Sequence, residues 1–383
     1  MSYLAETSKL IEIAHKRKVS ADTNLSGPQL PVSWYFDPDI YKLEQELLFK
    51  NGPGYVGHEL MVPEVGDYQV LDGRNKGQVL VRGKEGISLL SNVCRHRQAL
   101  MLKDKGNTSN IVCPLHRWTY DLKGELLGAP HFPQKPCLNL ARTPLQNWQG
   151  LLFDGQRNIE KDLAQLTVKN DLYFDDYKLD KVIVMEGNYN WKTFIEVYLE
   201  DYHVQPFHPG LSSLVDCNNL QWDFGDWYSV QTVGLAHQLQ MSGSQAYERW
   251  HRAIVDYYQG TLPKYGAIWL TYYPNVMIEW YAHTLIVSTL IPLGPNKTKN
   301  IVEFYYPEEI ALFEPEFVEA EQAAYMETAK EDDEIIMRME EGRFALYQSG
   351  INEVGPYQSP LEDGMPHFHK FLRRELKKAQ YSF

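Results

Sequence analysis

The chain has 383 residues, of which 44% are hydrophobic, and its 37 Lys and Arg against 50 Asp and Glu give a formal net charge of −13. This length predicts two or three domains with buried cores, and the acidic balance excludes a surface that neutralises nucleic-acid phosphates. The longest apolar run, residues 284–293, is about half a membrane span, and residues 1–20 carry scattered charges without an apolar core. We therefore expect a soluble, cytoplasmic protein with no nucleic-acid or membrane partner.

Residues 51–155 contain short apolar and β-branched runs, which Gly, Asn and Asp turn signals separate. This spacing is typical of many short strands, and it predicts a small all-β domain over 51–155. The expected strands lie at 79–81, 87–90, 111–112 and 151–153.

Two Cys/His pairs lie within this segment. Cys94 and His96 form a C-x-H pair, and Cys113 and His116 form a C-x2-H pair further along. Four such ligands suit tetrahedral Zn²⁺. However, zinc fingers usually group Cys with Cys and His with His, whereas a Rieske [2Fe–2S] centre uses two Cys on one iron and two His on the other. We favour the [2Fe–2S] centre and keep zinc as the alternative.

Three other Cys and His residues have simpler explanations. Cys137 and Cys217 are interpreted as buried or incidental thiols. His131 is interpreted as a structural or interface histidine, because the two pairs already supply four ligands.

A second group of potential ligands follows the Asn-Trp-Lys sequence at 190–192. His203 and His208 would lie about 140° apart on a regular helix, but Pro206 is expected to break the helix and let both approach one point. Glu200, three residues before His203, can accept a hydrogen bond from the second nitrogen of its imidazole. Taken alone, the two histidines could equally be helix-end residues that the backbone satisfies.

Both groups closely resemble motifs of Rieske non-haem iron oxygenase large (alpha) subunits, in the aromatic-ring-hydroxylating dioxygenase family. The resemblance spans most of the chain and rests on residues 94–97, 113–124, 190–192 and 200–208. It implies a [2Fe–2S] cluster bound by Cys94, His96, Cys113 and His116. It also implies a mononuclear Fe(II) bound by a 2-His-1-carboxylate triad that includes His203 and His208.

The carboxylate of this triad is expected in residues 309–346, which are rich in Ala, Glu, Met and Lys and indicate one or two helices. Residues 331–336 resemble the late acidic segment of the family, and on that register Asp332 is the third iron ligand. Asp333 is the nearest alternative and Asp363 a weaker one. An acidic run of this kind could also be only a solvent-exposed helix face.

The resemblance implies an α+β fold, with a small all-β Rieske domain and a helix-grip catalytic domain that has a curved antiparallel sheet. Strand-like runs for that sheet lie at 268–272, 276–280, 285–290 and 301–305, with turns at 274–275 and 295–296. The expected domains are an N-terminal helical arm over 1–50 that packs on the catalytic domain, the Rieske domain over 51–155, a linker over 156–181 and the catalytic domain over 182–383.

The implied activity is that of a terminal oxygenase, which uses O₂ to hydroxylate or oxidatively dealkylate a small organic substrate. Its electrons would come from a separate NAD(P)H-dependent flavin and iron–sulfur reductase, since the chain has no G-x-G-x-x-G sequence after a strand. The family also implies a homotrimer in which Glu200 bridges His203 of one subunit and His116 of the next.

Most of the superfamily has Asp at the position of Glu200. A Glu at this position makes the sequence resemble the subgroup of choline, glycine-betaine and carnitine oxygenases. This Glu-type motif favours a quaternary-ammonium or N-methyl substrate, whereas the aromatic residues near the iron motif suit either a flat ring by stacking or a quaternary ammonium by cation–π contact. Ring hydroxylation of an aromatic compound stays open, as do two other classes, a Rieske electron carrier and a zinc-stabilised binding module. The aromatic residues concerned are Phe194, Tyr198, Tyr202, Phe207, Trp222, Trp227 and Tyr228.

Overall fold

The computed structural model describes residues 29–172, 174–236, 243–257 and 263–378, so that residues 1–28 of the predicted N-terminal arm lie outside the described part. The chain forms two compact units. The small unit comprises residues 53–160 and 172–179, and the large unit comprises residues up to 52, 161–171 and from 180 onward. The predicted linker 156–181 contributes to both units, and the predicted domain boundaries stay predictions.

The small unit consists of short antiparallel strands in three sheets, with the orders β5-β2-β3-β4-β9, β6-β7-β8 and β1-β11-β10. The four runs predicted as strands fall in β3, β4, β6 and β11, and these predictions are confirmed. The strands are β1 Tyr55–His58, β2 Asp67–Leu71, β3 Asn75–Gly83, β4 Gly86–Ser91, β5 Lys105–Asn107, β6 Ile111–Val112, β7 Thr119–Tyr120, β8 Leu126–Gly128, β9 Arg142–Thr143, β10 Gln146–Trp148 and β11 Leu151–Phe153.

Strand β3 is buried on both of its faces. Val79, Leu80 and Val81 are each 0% exposed, and successive residues of a strand point to opposite sides. Val79 and Val81 belong to the core cluster that contains both Cys94 and Cys113, while Leu80 belongs to a separate cluster. One face of β3 therefore packs in the core that contains the two cysteines, and its other face packs in a second core.

The large unit contains a seven-stranded sheet with the order β12-β18-β17-β16-β15-β14-β13, in which β13 to β18 pair in chain order. The four predicted strands are confirmed as β15 to β18, with the predicted turns between them. Its strands are β12 Tyr177–Gly187, β13 Val215–Phe224, β14 Tyr228–Leu235, β15 Ala267–Tyr272, β16 Val276–Tyr281, β17 Thr284–Gly294 and β18 Lys297–Pro307.

Most α-helices of the described residues belong to the large unit, as this sheet does. Short π and 3-10 segments lie at Gln45–Phe49, Glu59–Met61 and Lys169–Asp171. The α-helices are α1 Ser33–Phe36, α2 Pro38–Glu44, α3 Ile159–Asp162, α4 Trp191–Tyr198, α5 Val204–Phe207, α6 Leu211–Leu214, α7 Gln245–Tyr257, α8 Glu308–Phe313, α9 Pro315–Gln348 and α10 Gly364–Lys377.

The 34-residue helix α9 carries most of the segment predicted to be helical. Pro315 is its first residue, a position where the missing N–H costs nothing, and it separates α9 from α8. Phe317, Ala320 and Ala324, spaced three and four apart, pack against Phe304 and other core residues of the sheet. The predicted α+β fold, with helices on an antiparallel sheet, is confirmed. No helix within the described ranges has the length and apolar character needed to cross a bilayer.

The Asn-Trp-Lys sequence starts α4 and binds it to α2. The side chain of Asn190 accepts a hydrogen bond from the backbone N–H of Lys192 at 2.9 Å, which caps the helix. Trp191 Nε1 donates to Glu44 at 2.9 Å, and Lys192 Nζ lies 2.6 Å from the same carboxylate. Lys192 and Glu44 are both 0% exposed, so they form a fully buried ion pair.

Candidate metal centres and the adjoining pocket

The two Cys/His pairs lie on loops that have the same backbone hydrogen bonds. The N–H of Cys94 donates to Ala99 at 2.9 Å, and that of Cys113 donates to Trp118 at 2.8 Å. Four residues after each cysteine, Gln98 (φ 55°) and Arg117 (φ 61°) adopt left-handed backbone conformations and donate back to the cysteine carbonyl at 3.1 Å. The different spacings C-x-H and C-x2-H are therefore carried by equivalent loops.

These loops present a donor set that fits a cluster with one Cys and one His from each side. Both thiols are free and 2% exposed, and the rings of His96 and His116 lie 4.6 Å apart between centroids. His96 Nδ1 is buried without a hydrogen-bond partner among the described residues, as expected of an atom reserved for a metal. Two thiolates and two imidazoles are the ligands of a Rieske [2Fe–2S] centre.

Tyr120 adds a polar contact to this centre that the sequence did not indicate. Its hydroxyl lies 3.8 Å from Cys94 Sγ and accepts the N–H of Arg95 at 3.2 Å. Burial is the main cause that raises the pKa of Tyr120 to about 12, so the phenol keeps its proton and can donate to the sulfur. Hydrogen bonds to cluster sulfurs tune the reduction potential.

Cys137, Cys217 and His131 differ in their exposure. Cys137 is exposed and Cys217 half-buried, so neither is the fully buried thiol that was one of the two interpretations. His131 is exposed, with φ 66°. Its predicted structural or interface role stays a prediction.

The ligand atoms of His203, His208 and Asp332 form a small triangle. His208 Nε2 lies 3.0 Å from both His203 Nε2 and Asp332 Oδ1, and the third side, from His203 Nε2 to Asp332 Oδ1, is 3.4 Å. Ligands at right angles on a metal with bonds of about 2.0–2.2 Å lie about 3 Å apart. The three atoms therefore fit one face of an octahedral metal ion, as in a 2-His-1-carboxylate triad. Neither Asp333 nor Asp363 belongs to this group.

The four-residue helix α5 brings the two imidazoles together. It starts directly after His203 and ends directly before His208, whose N–H donates to the Val204 carbonyl at 2.9 Å. Pro206 lies inside this helix and does not break it, because the third residue of a helix needs no N–H donor. This corrects the predicted role of Pro206. The change of direction occurs at His208, with φ −111° and ψ 78°.

A carboxylate holds the second nitrogen of each imidazole. Glu200 contacts His203 Nδ1 and also accepts the backbone N–H of His203 at 3.1 Å. Glu331 lies 2.7 Å from His208 Nδ1. Such contacts fix the tautomer in which Nε2 is free to bind a metal. Residues 200–203 form a turn, not a helix, so the predicted contact of Glu200 is present but arises from a turn and not from a shared helix face.

A cavity of about 110 Å³ in the large unit is lined by the triad and by acidic and aromatic side chains. Within the described ranges, no Lys or Arg lines it. Its carboxyl side chains belong to Glu186, Glu200, Asp201, Glu279, Glu321, Asp332 and Asp333. Such a lining favours a ligand that is cationic and partly apolar.

The aromatic wall of this cavity differs from the one that chain proximity predicted. Of the seven aromatic residues near the iron motif, only Phe194 and Tyr198 line the cavity, and Tyr202 is 57% exposed. The other aromatic lining residues come from α7, β15, β16, α9 and the turn before α4. They are Tyr247, Trp250, Trp269, Tyr281, Tyr325 and Tyr189.

Comparison with known proteins identifies the family. The Rieske [2Fe–2S] domain model matches residues 55–148, and the model of the ring hydroxylating alpha subunit catalytic domain matches residues 174–378. The chain belongs to the Rieske non-haem iron oxygenases. A putrescine 2-hydroxylase from Ralstonia nicotianae is 65% identical to this oxygenase, over 92% of the chain and 96% of the relative.

More distant relatives share the same architecture. A choline monooxygenase from Atriplex hortensis is 26% identical over 91% of this chain and 78% of its own. The solved structure of a quaternary ammonium Rieske monooxygenase has a TM-score of 0.73 at 18% identity, covering 96% of this chain and 98% of that one. At this identity the solved structure supports the fold of the oxygenase.

Membership decides the class of protein. The oxygenase is an oxidoreductase with a Rieske [2Fe–2S] domain and a catalytic domain that binds mononuclear iron, as predicted. The alternatives of an electron carrier and a zinc-stabilised module are wrong, because the oxygenase catalytic domain occupies residues 174–378. Alpha subunits of this family work with a separate reductase and O₂ and form oligomers.

The contact of Glu331 with His208 gives a testable role to a residue that the sequence did not single out. We expect Glu331→Gln to weaken binding of the mononuclear iron about 10- to 100-fold, because the imidazole loses the charged partner that orients it. Anaerobic Fe(II) titration of the iron-depleted protein measures this. Glu334→Gln, an exposed change on the same helix, is the control. Equal iron affinities of Glu331→Gln and the wild type would refute the role.

Proposed function

We propose that this oxygenase hydroxylates a carbon atom of a small aliphatic diamine, with putrescine as the first candidate. The observation that carries the proposal is the acidic, aromatic cavity beside the triad, which no Lys or Arg of the described residues neutralises. The 65% identity to a putrescine 2-hydroxylase supports the same substrate class. Putrescine carries two positive charges at neutral pH, so a cavity rich in carboxyl groups favours it.

The hydrogen-bonding groups of the cavity favour a primary amine over the quaternary ammonium that the sequence suggested. Gln231 Oε1, Asn300 Oδ1 and Glu321 Oε1 are buried and lack partners among the described residues. All three are acceptors, and each buried acceptor left without a donor is costly. A primary ammonium brings three N–H donors, whereas a quaternary ammonium brings none.

We assign the two metal centres to the residues that the geometry supports. Cys94, His96, Cys113 and His116 would hold the cluster, and His203, His208 and Asp332 would hold the mononuclear iron. When bound, these two centres would supply O₂ activation and the electrons that it requires. Glu200 and Glu331 keep the imidazoles in one tautomer, while the aromatic wall excludes water and holds the carbon chain of the substrate.

The quaternary organisation and the partners form a second part of the proposal. The oxygenase would act as a homotrimer, with Glu200 of one subunit linking His203 to His116 of the next, and with a flavin and iron–sulfur reductase as electron donor. The position of Glu200, which contacts both the ring and the backbone of His203, supports a residue that couples this ligand to a neighbour. Light scattering should give three times the 44.4 kDa subunit mass. The predicted cytoplasmic location stays a prediction.

Purified oxygenase should contain about three irons per chain, two in the cluster and one in the triad. Supplied with NADH and a reductase, it should consume O₂ and convert putrescine to a product heavier by one oxygen atom. Choline, glycine betaine and benzoate provide the comparison, measured by O₂ uptake and mass spectrometry of products. Product from choline or benzoate but not from putrescine would overturn the proposal in favour of the quaternary-ammonium or the ring-hydroxylating alternative.

A further inference from the structure

Two buried carboxyl groups of the cavity, Glu279 on β16 and Glu321 on α9, have no part in the metal centres. Glu321 is 0% exposed and Glu279 is 5% exposed. Tyr306 donates its O–H to Glu321 Oε2, and Tyr281 donates to Glu279 Oε2 at 2.9 Å. Neither carboxyl has a Lys or Arg partner within the part of the chain that the structure describes. Two buried acids with only phenol donors are left without a counter-charge.

Helix α9 places Glu321 on the same side as the triad residue Asp332. The two residues are eleven positions apart, which is three turns plus about 20°, and about 16 Å along the helix axis. Tyr325, Thr328 and Ala329 lie between them and also line the cavity. The cavity therefore follows one face of α9 from the triad towards Glu321.

The seven-stranded sheet also lines this cavity. Gln231, Trp269 and Glu279 are directly paired neighbours on β14, β15 and β16, so their side chains point to the same face. Repulsion from Asp332 contributes to raising the pKa of Glu279, and repulsion from Glu279 contributes to raising the pKa of Glu321. Glu279 therefore interacts with the carboxyl groups at both ends of this face of α9.

Burial changes the proton affinity of both acids. Burial is the main cause that raises the pKa of Glu279 to about 8, and it raises the pKa of Glu321 likewise to about 8, with repulsion from Glu279 adding to the effect on Glu321. Glu321 lines the cavity, and its Oε1 is a buried acceptor without a hydrogen-bond partner among the described residues. An ammonium group would bring both a positive charge and an N–H donor to these carboxyls.

We propose that Glu279 and Glu321 form the binding site for the ammonium group of the diamine that lies farther from the oxidised carbon. The inference rests on the proposed function and adds a specificity device to it. A diamine would be held at its far end by the two acids, with its reacting carbon towards the triad. An uncharged chain of the same length would lack this charged contact.

The test compares putrescine with 1,4-butanediol, which has the same carbon chain and no ammonium group. We expect Glu321→Gln and Glu279→Gln each to raise the KM for putrescine about 10- to 100-fold, the usual effect of losing a hydrogen bond to a charged group. The KM for 1,4-butanediol should change by less than about threefold, because that ligand brings no charge to the two acids. Glu319→Gln, an exposed change on the same helix, should leave both values unchanged.

Binding of putrescine and 1,4-butanediol to the iron-loaded, oxygen-free protein should also be measured by calorimetry. Putrescine that binds to the wild type without being hydroxylated would refute the proposed function and leave the binding site intact. Equal weakening of both ligands in Glu321→Gln and Glu279→Gln would refute the site and leave the function intact. Failure of the wild type to bind putrescine would refute both. Since Gln has nearly the shape of Glu and can still accept the tyrosine O–H, both variants should fold.

Discussion

His208→Ala should yield an oxygenase that keeps its [2Fe–2S] cluster but has no mononuclear iron and no detectable hydroxylation of putrescine. His208 Nε2 is 3.0 Å from each of the other two ligand atoms, so its loss leaves only two ligands on the metal. The ring is 1% exposed, and the group of potential ligands found among the described residues contains only His203, His208 and Asp332. Iron analysis, the paramagnetic signal of the reduced cluster and product analysis measure the three properties separately.

Asp333→Asn and Asp363→Asn are the matched controls for this experiment, because each is an alternative to Asp332 that the sequence left open. Both variants should keep about three irons per chain, whereas Asp332→Asn should lose the mononuclear iron as His208→Ala does. If Asp333→Asn loses the mononuclear iron and Asp332→Asn retains it, the assignment of the third ligand moves by one residue.

Lys192→Met should destabilise the large unit by about 3–5 kcal/mol, the usual cost of leaving one charge of a buried pair without its partner. Lys192 Nζ lies 2.6 Å from Glu44, and neither side chain touches solvent. Methionine fills nearly the same volume, so the loss reflects the unpaired Glu44 carboxylate and not a cavity. The free energy of unfolding from denaturant titration measures the effect.

Two variants separate this explanation from a general effect of the substitution. Lys42→Met removes an exposed pair, in which Lys42 is 51% exposed, and should cost less than about 1 kcal/mol. Adding Glu44→Gln to Lys192→Met removes the unpaired charge while Gln still accepts the Trp191 N–H, so most of the lost stability should return. A double variant as unstable as Lys192→Met alone would contradict the role of the buried charge.

The candidate metal motifs could be recognised in the sequence because most of their residues lie close together in the chain. Few arrangements of metal ligands are possible for two Cys/His pairs within 23 residues, and the same holds for His203 and His208. Asp332 required the family resemblance, since nothing in the acidic run itself distinguishes it from Asp333. Helix α9 makes the distinction, because adjacent residues of a helix point about 100° apart.

The ligand-binding features of the cavity could not be read in the same way. Glu279 is a single acid in a strand, and Glu321 is one of many acids in a long Glu-rich helix. Both placements are also common for acids that face solvent. Only the pairing of β14, β15 and β16, and the packing of α9 on the sheet, bring them into one cavity. Most aromatic residues near the iron motif, such as Tyr202, point elsewhere because neighbours in the chain need not share a surface.

The uninterrupted course of α9 has a consequence for how this enzyme type can change its preference. A single residue inserted between positions 321 and 332 would rotate the Glu321 carboxylate by about 100° around the helix axis, away from the cavity. Three or four inserted residues would restore its direction and move it about 5 Å along the axis. That increment matches roughly four carbon–carbon bonds. Substrate length should therefore diverge among descendants of this protein in discrete steps, each set by one added or deleted helical turn.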